Sequence, residues 1–320
     1  MSDINTVTKI SSSGAESSPA GKIIRNIIRY KYLYLMSLLG FAYLMIFYYV
    51  PMYGVIIAFK DFRFSLGIMR SPWNDFAHFK ELFTSASFFN VLRNSVWLNV
   101  LKLLINFPIP IIFALMLNEI SSPVFKRVSQ TAMYLPHFIS WVVIAGIAMN
   151  FLSTNGGIIP YLVGKLGGTP RNILGDPRWF RSIILMTSVW RGAGWGTIIY
   201  LAALSGVNPE YYDAAIIDGA SRFQRIRYIT LPCISNTIVI LLILQIGNLM
   251  DNGFEQIYLF QNPVNLQVAE VFETYTYKVG LINSKFSFAT AVGLFKSVVG
   301  MLLLIISNSI ARVFGKESIF

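Results

Sequence analysis

The chain has 320 residues, of which 55% are hydrophobic and only 13% are charged. Soluble domains carry about 25% charged residues, so this composition excludes an ordinary soluble protein. Several apolar runs of about 20 residues have the length that a helix needs to cross a bilayer. We therefore expect an all-α membrane protein.

The formal net charge of +11 raises the question of nucleic-acid binding. The sequence shows no basic stripe and no stacking module, so that class is not favoured, and anionic membrane lipid accounts for part of the charge. Cys233 is the single cysteine, which excludes an internal disulfide and a thiolate metal cluster. His78 and His137 stand alone without metal-ligand spacing, so structural roles are expected.

The first 21 residues are polar and Ser-rich, so we predict a disordered arm over residues 1–21, ahead of one membrane domain over residues 22–320. Basic residues follow at Lys22, Arg25 and Arg29. Positive residues beside a membrane segment tend to remain cytoplasmic, which predicts a cytoplasmic amino terminus. The first apolar run is too long for a cleavable signal and should remain as an anchor.

Hydropathy predicts six transmembrane helices, at about residues 32–59, 95–117, 131–152, 181–204, 233–250 and 286–311. Pro108 and Pro110 should kink or break the second of these. An even number of spans returns the chain to its starting side, so both termini and the loop between the fourth and fifth spans should be cytoplasmic. Basic residues support this only partly, because the predicted outer segments carry almost as many of them.

That loop, residues 205–232, reads as two short helices. Asn208 is a good N-cap with Pro209 at the first helical position, and Gly219 stands where a left-handed residue would end the first helix. Ser221 and Gln224 form an S-x-x-Q capping box for the second helix. The alternative to a partner-binding role is an amphipathic segment that lies on the lipid headgroups.

The spacing in this loop resembles the EAA loop of permease subunits in bacterial ABC importers. Residues 213–215 (DAA), Gly219 and residues 229–232 (ITLP) match its positions, with Asp in place of the usual Glu. Five further stretches are similar to the maltose-permease type of carbohydrate importer, in its oligosaccharide and polysaccharide branch, which includes alginate importers: residues 190–192, 200–202, 218–220, 253–257 and 291–296.

The resemblance implies a type I ABC importer permease fold in a bacterial cytoplasmic membrane. It implies a second homologous permease subunit, two ATPase subunits that bind ATP and Mg, an extracytoplasmic substrate-binding protein and an oligosaccharide substrate. The chain has no G-x-x-x-x-G-K-[ST] phosphate loop, so it is expected to be a non-catalytic transport subunit. The residues expected to form the ATPase-coupling helix and its surroundings are Glu210, Asp213, Ala214, Ala215, Asp218, Gly219, Phe223, Ile229, Leu231 and Pro232.

Lys102, Arg191 and Lys296 fall within predicted spans, where ionisable side chains usually face a cavity or a partner. Guanidinium and ammonium groups donate charge-assisted hydrogen bonds to carboxylates, so an acidic oligosaccharide of the alginate or uronate type is the expected substrate. A neutral oligosaccharide is the alternative. Snorkelling of the side chain to the membrane interface is the other interpretation, and it is favoured for Lys102.

Aromatic and amide side chains complete the candidate pathway. Trp190 and Trp195 are placed to stack on sugar rings, and Gln245, Asn248 and Asp251 are expected along one side of the fifth helix, where they would bind hydroxyls. Packing and belt roles for the aromatics, and helix-to-helix hydrogen bonds for the amides, stay open as alternatives.

The sequence lacks the signatures of two other classes of membrane protein. An intramembrane enzyme needs paired carboxylates or a serine with a histidine at membrane depth, and Asp218 and Asp251 have no matching partner in the sequence. An ion channel needs a filter-like loop or a charged ring, which the predicted outer loops do not show. The importer permease is therefore the favoured interpretation.

Overall fold

The computed structural model describes residues 28–154, 156–169, 171–313 and 315. Within these ranges the chain is helical, and its one β-type contact is an isolated bridge between Lys60 and Trp73. The arm predicted over residues 1–21 lies outside the described residues. The chain divides into two compact units at Val55 and Ile56.

The first unit is dominated by a helix that is apolar on all sides. Helix α1 (Lys31–Leu44) continues through a π-helical turn (Met45–Tyr49) and Val50–Met52 into a 3₁₀ helix (Tyr53–Phe59). None of the side chains of α1 is buried. An apolar helix of this kind is typical of a membrane span, and the candidate span Lys31–Phe59 agrees with the prediction for residues 32–59.

The second unit contains the remaining helices. In chain order they are α2 (Gly67–Arg70), α3 (Ala77–Thr84), α4 (Ala86–Asn106), α5 (Pro108–Asn118), α6 (Pro123–Tyr134), α7 (Trp141–Leu152), α8 (Ile158–Lys165), α9 (Pro177–Ser205), α10 (Glu210–Ile217), α11 (Arg222–Arg225), α12 (Ser235–Gly247), α13 (Phe254–Phe260), α14 (Leu266–Ala269), α15 (Phe272–Tyr277) and α16 (Phe286–Val313).

Helix α9 is the centre of this unit and packs against α4, α5 and α6. Its first half contributes Ile184 to an apolar cluster that also contains Ile257, and its second half packs Tyr200 against Ile234. A third cluster joins α3, α4, α15 and α16. Helix α4 contributes residues to the first and third clusters, so it shares an apolar cluster with α9 and another with α16.

The described residues contain three helices long and apolar enough to cross a membrane, Lys31–Phe59, Ala86–Asn118 and Phe286–Val313. The number rises to five if two sharply bent pairs are each one span. Helix α9 has 29 residues, but Arg191 and three glycines near its middle lower its hydropathy. The count of six spans therefore remains a prediction.

The span predicted over residues 131–152 is bent. Pro123–Phe138 and Trp141–Leu152 meet at 98°. Pro136 lies in a 3₁₀ turn that ends the first part, and the Ser140 hydroxyl accepts the backbone N–H of Val143 at 3.4 Å to begin α7. The fifth predicted span is likewise preceded by a 62° bend at Ile234, as the Leu-Pro pair before it predicts.

The two prolines of the second span have a smaller effect than expected. The helix is interrupted at Phe107, between α4 and α5, yet the two parts form one candidate span of 33 residues. The hydroxyl of Thr197 on α9 donates to the carbonyl oxygen of Pro110 at 3.3 Å. This contact lies on α5 beside the interruption, and the same hydroxyl also lies 2.8 Å from the Ala193 carbonyl of its own helix.

Gly194 allows the close approach of α9 to α6. A Cβ atom at this position would collide with the carbonyl oxygen of Met133, whereas a Cβ at Gly192 would meet nothing within 4 Å.

We predict that Gly194→Ala lowers the free energy of unfolding by about 1–3 kcal/mol, because the backbone must shift. Gly192→Ala is the control, with no loss expected. Thermal unfolding of the detergent-solubilised chain measures both, and equal stabilities would contradict the packing argument.

Candidate functional site

Residues 208–232 form a compact projection between α9 and α12, which we call the knob. At its start, the Asn208 side-chain oxygen accepts the backbone N–H of Glu210 at 3.0 Å. Pro209 has helical dihedral angles, and Glu210 and Asp213 lie in the first turn of α10. The predicted cap is therefore confirmed, with the two carboxylates at the positive end of the helix dipole.

Gly219 ends α10 in the left-handed region, with φ of +76°. Its N–H donates to the carbonyl of Ile216 at 3.0 Å, and the N–H of Ala220 donates to that of Ala215 at 2.8 Å. This pair of bonds is the Schellman motif, which favours glycine at the left-handed position. The glycine bend predicted from the sequence is confirmed.

The second half of the knob begins with the predicted capping box. The Ser221 N–H donates to the side-chain oxygen of Gln224 at 2.7 Å, and the Gln224 N–H donates to the Ser221 hydroxyl at 3.4 Å. A π-helical turn, Ile226–Thr230, follows. The hydroxyls of Tyr212 and Thr230 lie 3.1 Å apart, so a hydrogen bond ties the two halves together.

The surface of the knob is unusually apolar for a polar loop. Ile217, Phe223 and Tyr228 are 86%, 75% and 73% exposed, while Thr230 between the halves is buried. Large exposed apolar side chains of this kind mark a contact surface. Of the predicted coupling residues, the half-buried ones are Ala215, Ile229 and Leu231, and the exposed ones are Glu210, Asp213, Ala214, Asp218, Gly219, Phe223 and Pro232.

A second feature is a polar cavity of about 300 Å³ between α4, α9 and α12. Its polar lining consists of Asn106, Ser188, Gln245 and Asn248. The Asn106 amide donates to the Ser188 hydroxyl at 2.7 Å, and the Asn106 side-chain oxygen is buried without a protein partner. Sequence reasoning missed Asn106 and Ser188, whose only signal was a polar side chain within an apolar run.

Arg191 and Trp195 do not line this cavity, but each lies three residues along α9 from a residue that does, Ser188 or Gly192. The Arg191 Nε donates to the carbonyl of Ile139 at 3.1 Å, at the bend before α7. Among the described residues no carboxylate lies within 4 Å of the Arg191 side chain.

The two tryptophans of α9 lie in different surroundings. Trp195 stacks on the ring of His137 with ring centroids 4.4 Å apart, which fits the structural role predicted for that histidine. Trp190 lines a separate apolar cavity of about 830 Å³ with Phe113 and Met133. Trp190 therefore does not line the polar cavity with Gln245 and Asn248.

Lys296 and Asp251, predicted as two separate residues of the sugar pathway, form an ion pair with each other. The Lys296 ammonium lies 3.5 Å from an Asp251 carboxylate oxygen and also pairs with Glu273. Asp251 is not on the fifth helix with Gln245, because α12 ends at Gly247. Glu273 was missed by the sequence analysis, since nothing in the sequence pairs it with a lysine 23 residues away.

Lys102 does not snorkel, contrary to the favoured interpretation. Its ammonium donates to the carbonyl oxygen of Asn252 at 2.7 Å and to the side-chain oxygen of Gln256 at 3.4 Å. The side chain therefore reaches a neighbouring turn of the protein instead of the membrane interface. Those two acceptors satisfy the charged group within the fold.

A helical membrane chain with an exposed knob between two helices and a polar cavity beside its central helix has the parts of a transport permease. The family model described as binding-protein-dependent transport system inner membrane component matches residues 106–317. The chain belongs to this family. The matched region contains both the knob and the polar cavity.

Two relatives from Bacillus subtilis (strain 168) cover most of the chain. Protein LplB is 48% identical over 292 residues, which are 91% of this chain and 92% of the relative. The polygalacturonan/rhamnogalacturonan transport system permease protein YteP is 46% identical over 299 residues, 93% of each chain.

Solved structures give the same fold. A chain from a bacterial ABC transporter involved in the import of the acidic polysaccharide alginate superimposes with a TM-score of 0.85 at 39% identity, covering 92% of this chain and 100% of the other. A second, from an alginate transporter in complex with an alginate pentasaccharide-bound periplasmic protein, gives 0.84 at 38% identity, covering 92% and 99%. This chain is accordingly a non-catalytic permease subunit of a sugar or oligosaccharide ABC importer, in the inner membrane.

Proposed function

We propose that this permease imports a carboxylate-bearing oligosaccharide as one half of a pair with a second permease. In this proposal two ATPase subunits bind ATP and Mg, and an extracytoplasmic protein delivers the sugar. Both termini and the knob face the cytoplasm. The observation that carries the assembly is the knob itself, a rigid projection with exposed apolar side chains.

The knob is suited to transmit movement because its internal bonds fix its shape. The Asn208 cap, the Gly219 bend and the bond between Tyr212 and Thr230 leave few internal degrees of freedom. A rigid element that is seated on a moving partner carries α9 and α12 with it. Those helices are two walls of the polar cavity, so ATP-driven closure of the ATPases would reshape the sugar site.

Phe223 is the natural anchor for the ATPase, since exposed aromatic side chains dominate many contact energies. We predict that Phe223→Ala reduces ATP-driven uptake by the reconstituted importer by about tenfold or more, as expected for loss of an interface hot spot. Binding of the ATPase to the solubilised permease pair should weaken in parallel.

The control is Leu281→Ala, which removes a side chain of similar exposure far along the chain from the knob. This variant should retain uptake. Full uptake and full ATPase binding by Phe223→Ala would contradict the docking role of the knob.

The sugar pathway is proposed at the polar cavity. Amide and hydroxyl groups from Asn106, Ser188, Gln245 and Asn248 converge on it. Trp195 on the adjoining surface of α9 would supply an aromatic face. This arrangement has the few convergent polar groups that a small-molecule site requires.

Arg191 supports a carboxylate on the sugar. Lys102 is held by protein oxygens and Lys296 is paired with carboxylates. The Arg191 Nε donates to the Ile139 carbonyl and its guanidinium lies 4.7 Å from the centroid of the Trp141 ring, but no carboxylate of the described residues pairs with it. A cation without a carboxylate partner beside a polar cavity attracts an anion. The alginate importer structure and the relative named for polygalacturonan agree with such a substrate class.

We predict that Arg191→Gln reduces uptake of a uronate oligosaccharide by about tenfold or more, and uptake of a neutral oligosaccharide of equal length much less, because a charged hydrogen bond is lost. Initial uptake rates in proteoliposomes that contain the whole importer measure the difference. Arg178→Gln on the same helix is the control, since Arg178 is exposed and does not line the cavity. Equal losses for both sugars would favour the neutral-oligosaccharide alternative.

A further inference from the structure

The turn over residues 248–253 connects α12 to α13 and begins at the polar cavity. Asn248 lines that cavity at the end of α12. Within the turn, the Asp251 N–H donates to the Asn248 carbonyl at 2.9 Å, and the Gly253 N–H donates to the Asp251 carboxylate at 3.0 Å. Asn248 is held from two sides, because its N–H and its side-chain amide donate to the Leu244 carbonyl of α12 at 3.2 and 3.1 Å, while its own carbonyl accepts from the turn.

Two side chains of helix α4 hold the turn by donating hydrogen bonds to main-chain carbonyls of the turn. The Asn99 amide donates to the carbonyl of Leu249 at 2.5 Å, and Lys102 donates to that of Asn252 at 2.7 Å. Carbonyls in a helix break at membrane depth need partners from the protein, because lipid offers none. Two side chains one helical turn apart on α4 supply these partners.

Helices α15 and α16 hold the turn from another side. Glu273 accepts the backbone N–H of Asn252 at 3.3 Å and pairs with Lys296, which lies 3.5 Å from Asp251. The side chain of Glu273 is only 11% exposed. With Lys102 included, two cations face two carboxylates, so the group is balanced without a sugar carboxylate.

The same group also reaches α9. Gln256, which accepts from Lys102, donates to the carbonyl of Ile184 at 2.8 Å and to the Thr187 hydroxyl at 2.9 Å. Thr187 is next in sequence to Ser188, which lines the cavity. Polar contacts therefore connect α16, through the turn, Lys102 and Gln256, to α9 at the residue before Ser188.

We propose that Lys102, Glu273 and Lys296 are positioning residues that clamp the turn and thereby place Asn248 in the sugar cavity. The inference rests on the proposed sugar pathway, but it concerns the geometry of the turn and not the charge of the sugar. In this arrangement Lys296 acts through Glu273 and Asp251 and does not contact the substrate.

The turn position is measured by the reactivity of one thiol. Cys233 is the only cysteine of the chain, so Asn248→Cys in a Cys233→Ser background places a single thiol at the turn. In the assembled importer in vesicles, Glu273→Gln should change the rate at which a maleimide modifies this thiol by about threefold or more, the scale of couplings within one polar network. In the chain with Asn248 intact, Glu273→Gln should raise the KM for uptake more than it lowers the maximal rate.

Glu270→Gln is the matched control. Glu270 carries the same charge and pairs with Lys278 at 3.5 Å on the same segment, but its side chain does not contact the turn. It should leave both thiol reactivity and KM unchanged. Lys296→Met combined with Glu273→Gln should cost less than the sum of the two single losses, because both changes break the pair between Lys296 and Glu273, and Lys296→Met alone also breaks the pair with Asp251.

Unchanged thiol reactivity in Glu273→Gln would overturn the proposal, and so would loss of the assembled importer, which would make the cluster a folding element. The labelling experiment involves no sugar. A changed reactivity together with equal sugar losses in Arg191→Gln would therefore keep the clamp and remove only the acidic-substrate proposal.

Discussion

The structure depends on one constraint, which is that backbone polar groups exposed by a helix break within a membrane need partners from the protein. The chain breaks its helices at Phe107, at Ile139 and after Gly247. The second and third breaks are met by side chains from a neighbouring helix, Arg191 at the second and Asn99 with Lys102 at the third. Polar side chains therefore lie beside these helix breaks, where they donate hydrogen bonds to backbone carbonyls.

This constraint connects structure to transport. Phe107 and Asn248, at the first and third breaks, line the polar cavity, so these two breaks help to shape the site. The knob lies at the other end of α9 and α12 and is rigid through its own caps. In the proposed mechanism the permease changes shape by moving whole helices, because hydrogen bonds hold the breaks and the caps hold the knob. The proposed sugar site and the proposed ATPase contact are then coupled through two helices.

Local features of the fold are readable from the sequence, and tertiary ones are not. The Asn208 cap, the Gly219 bend and the Ser221 capping box each depend on residues within a few positions of one another, and all three are confirmed. The bond from Arg191 to the Ile139 carbonyl and the pairing of Glu273 with Lys296 join residues that are distant in sequence. Gln245 could be predicted as a site residue because it is a polar side chain in an apolar run. Asn106 lies on another helix, and its place in the same cavity is seen only when α4 and α12 are placed together.

The central claim is that an importer containing this permease moves acidic oligosaccharides. Its most direct test is ATP-dependent uptake by the unmodified importer, reconstituted with its binding protein, using uronate and neutral oligosaccharides of equal length. Faster uptake of the uronate series than of the neutral series is expected. Equal uptake of both series, or uptake of the neutral series alone, would contradict it.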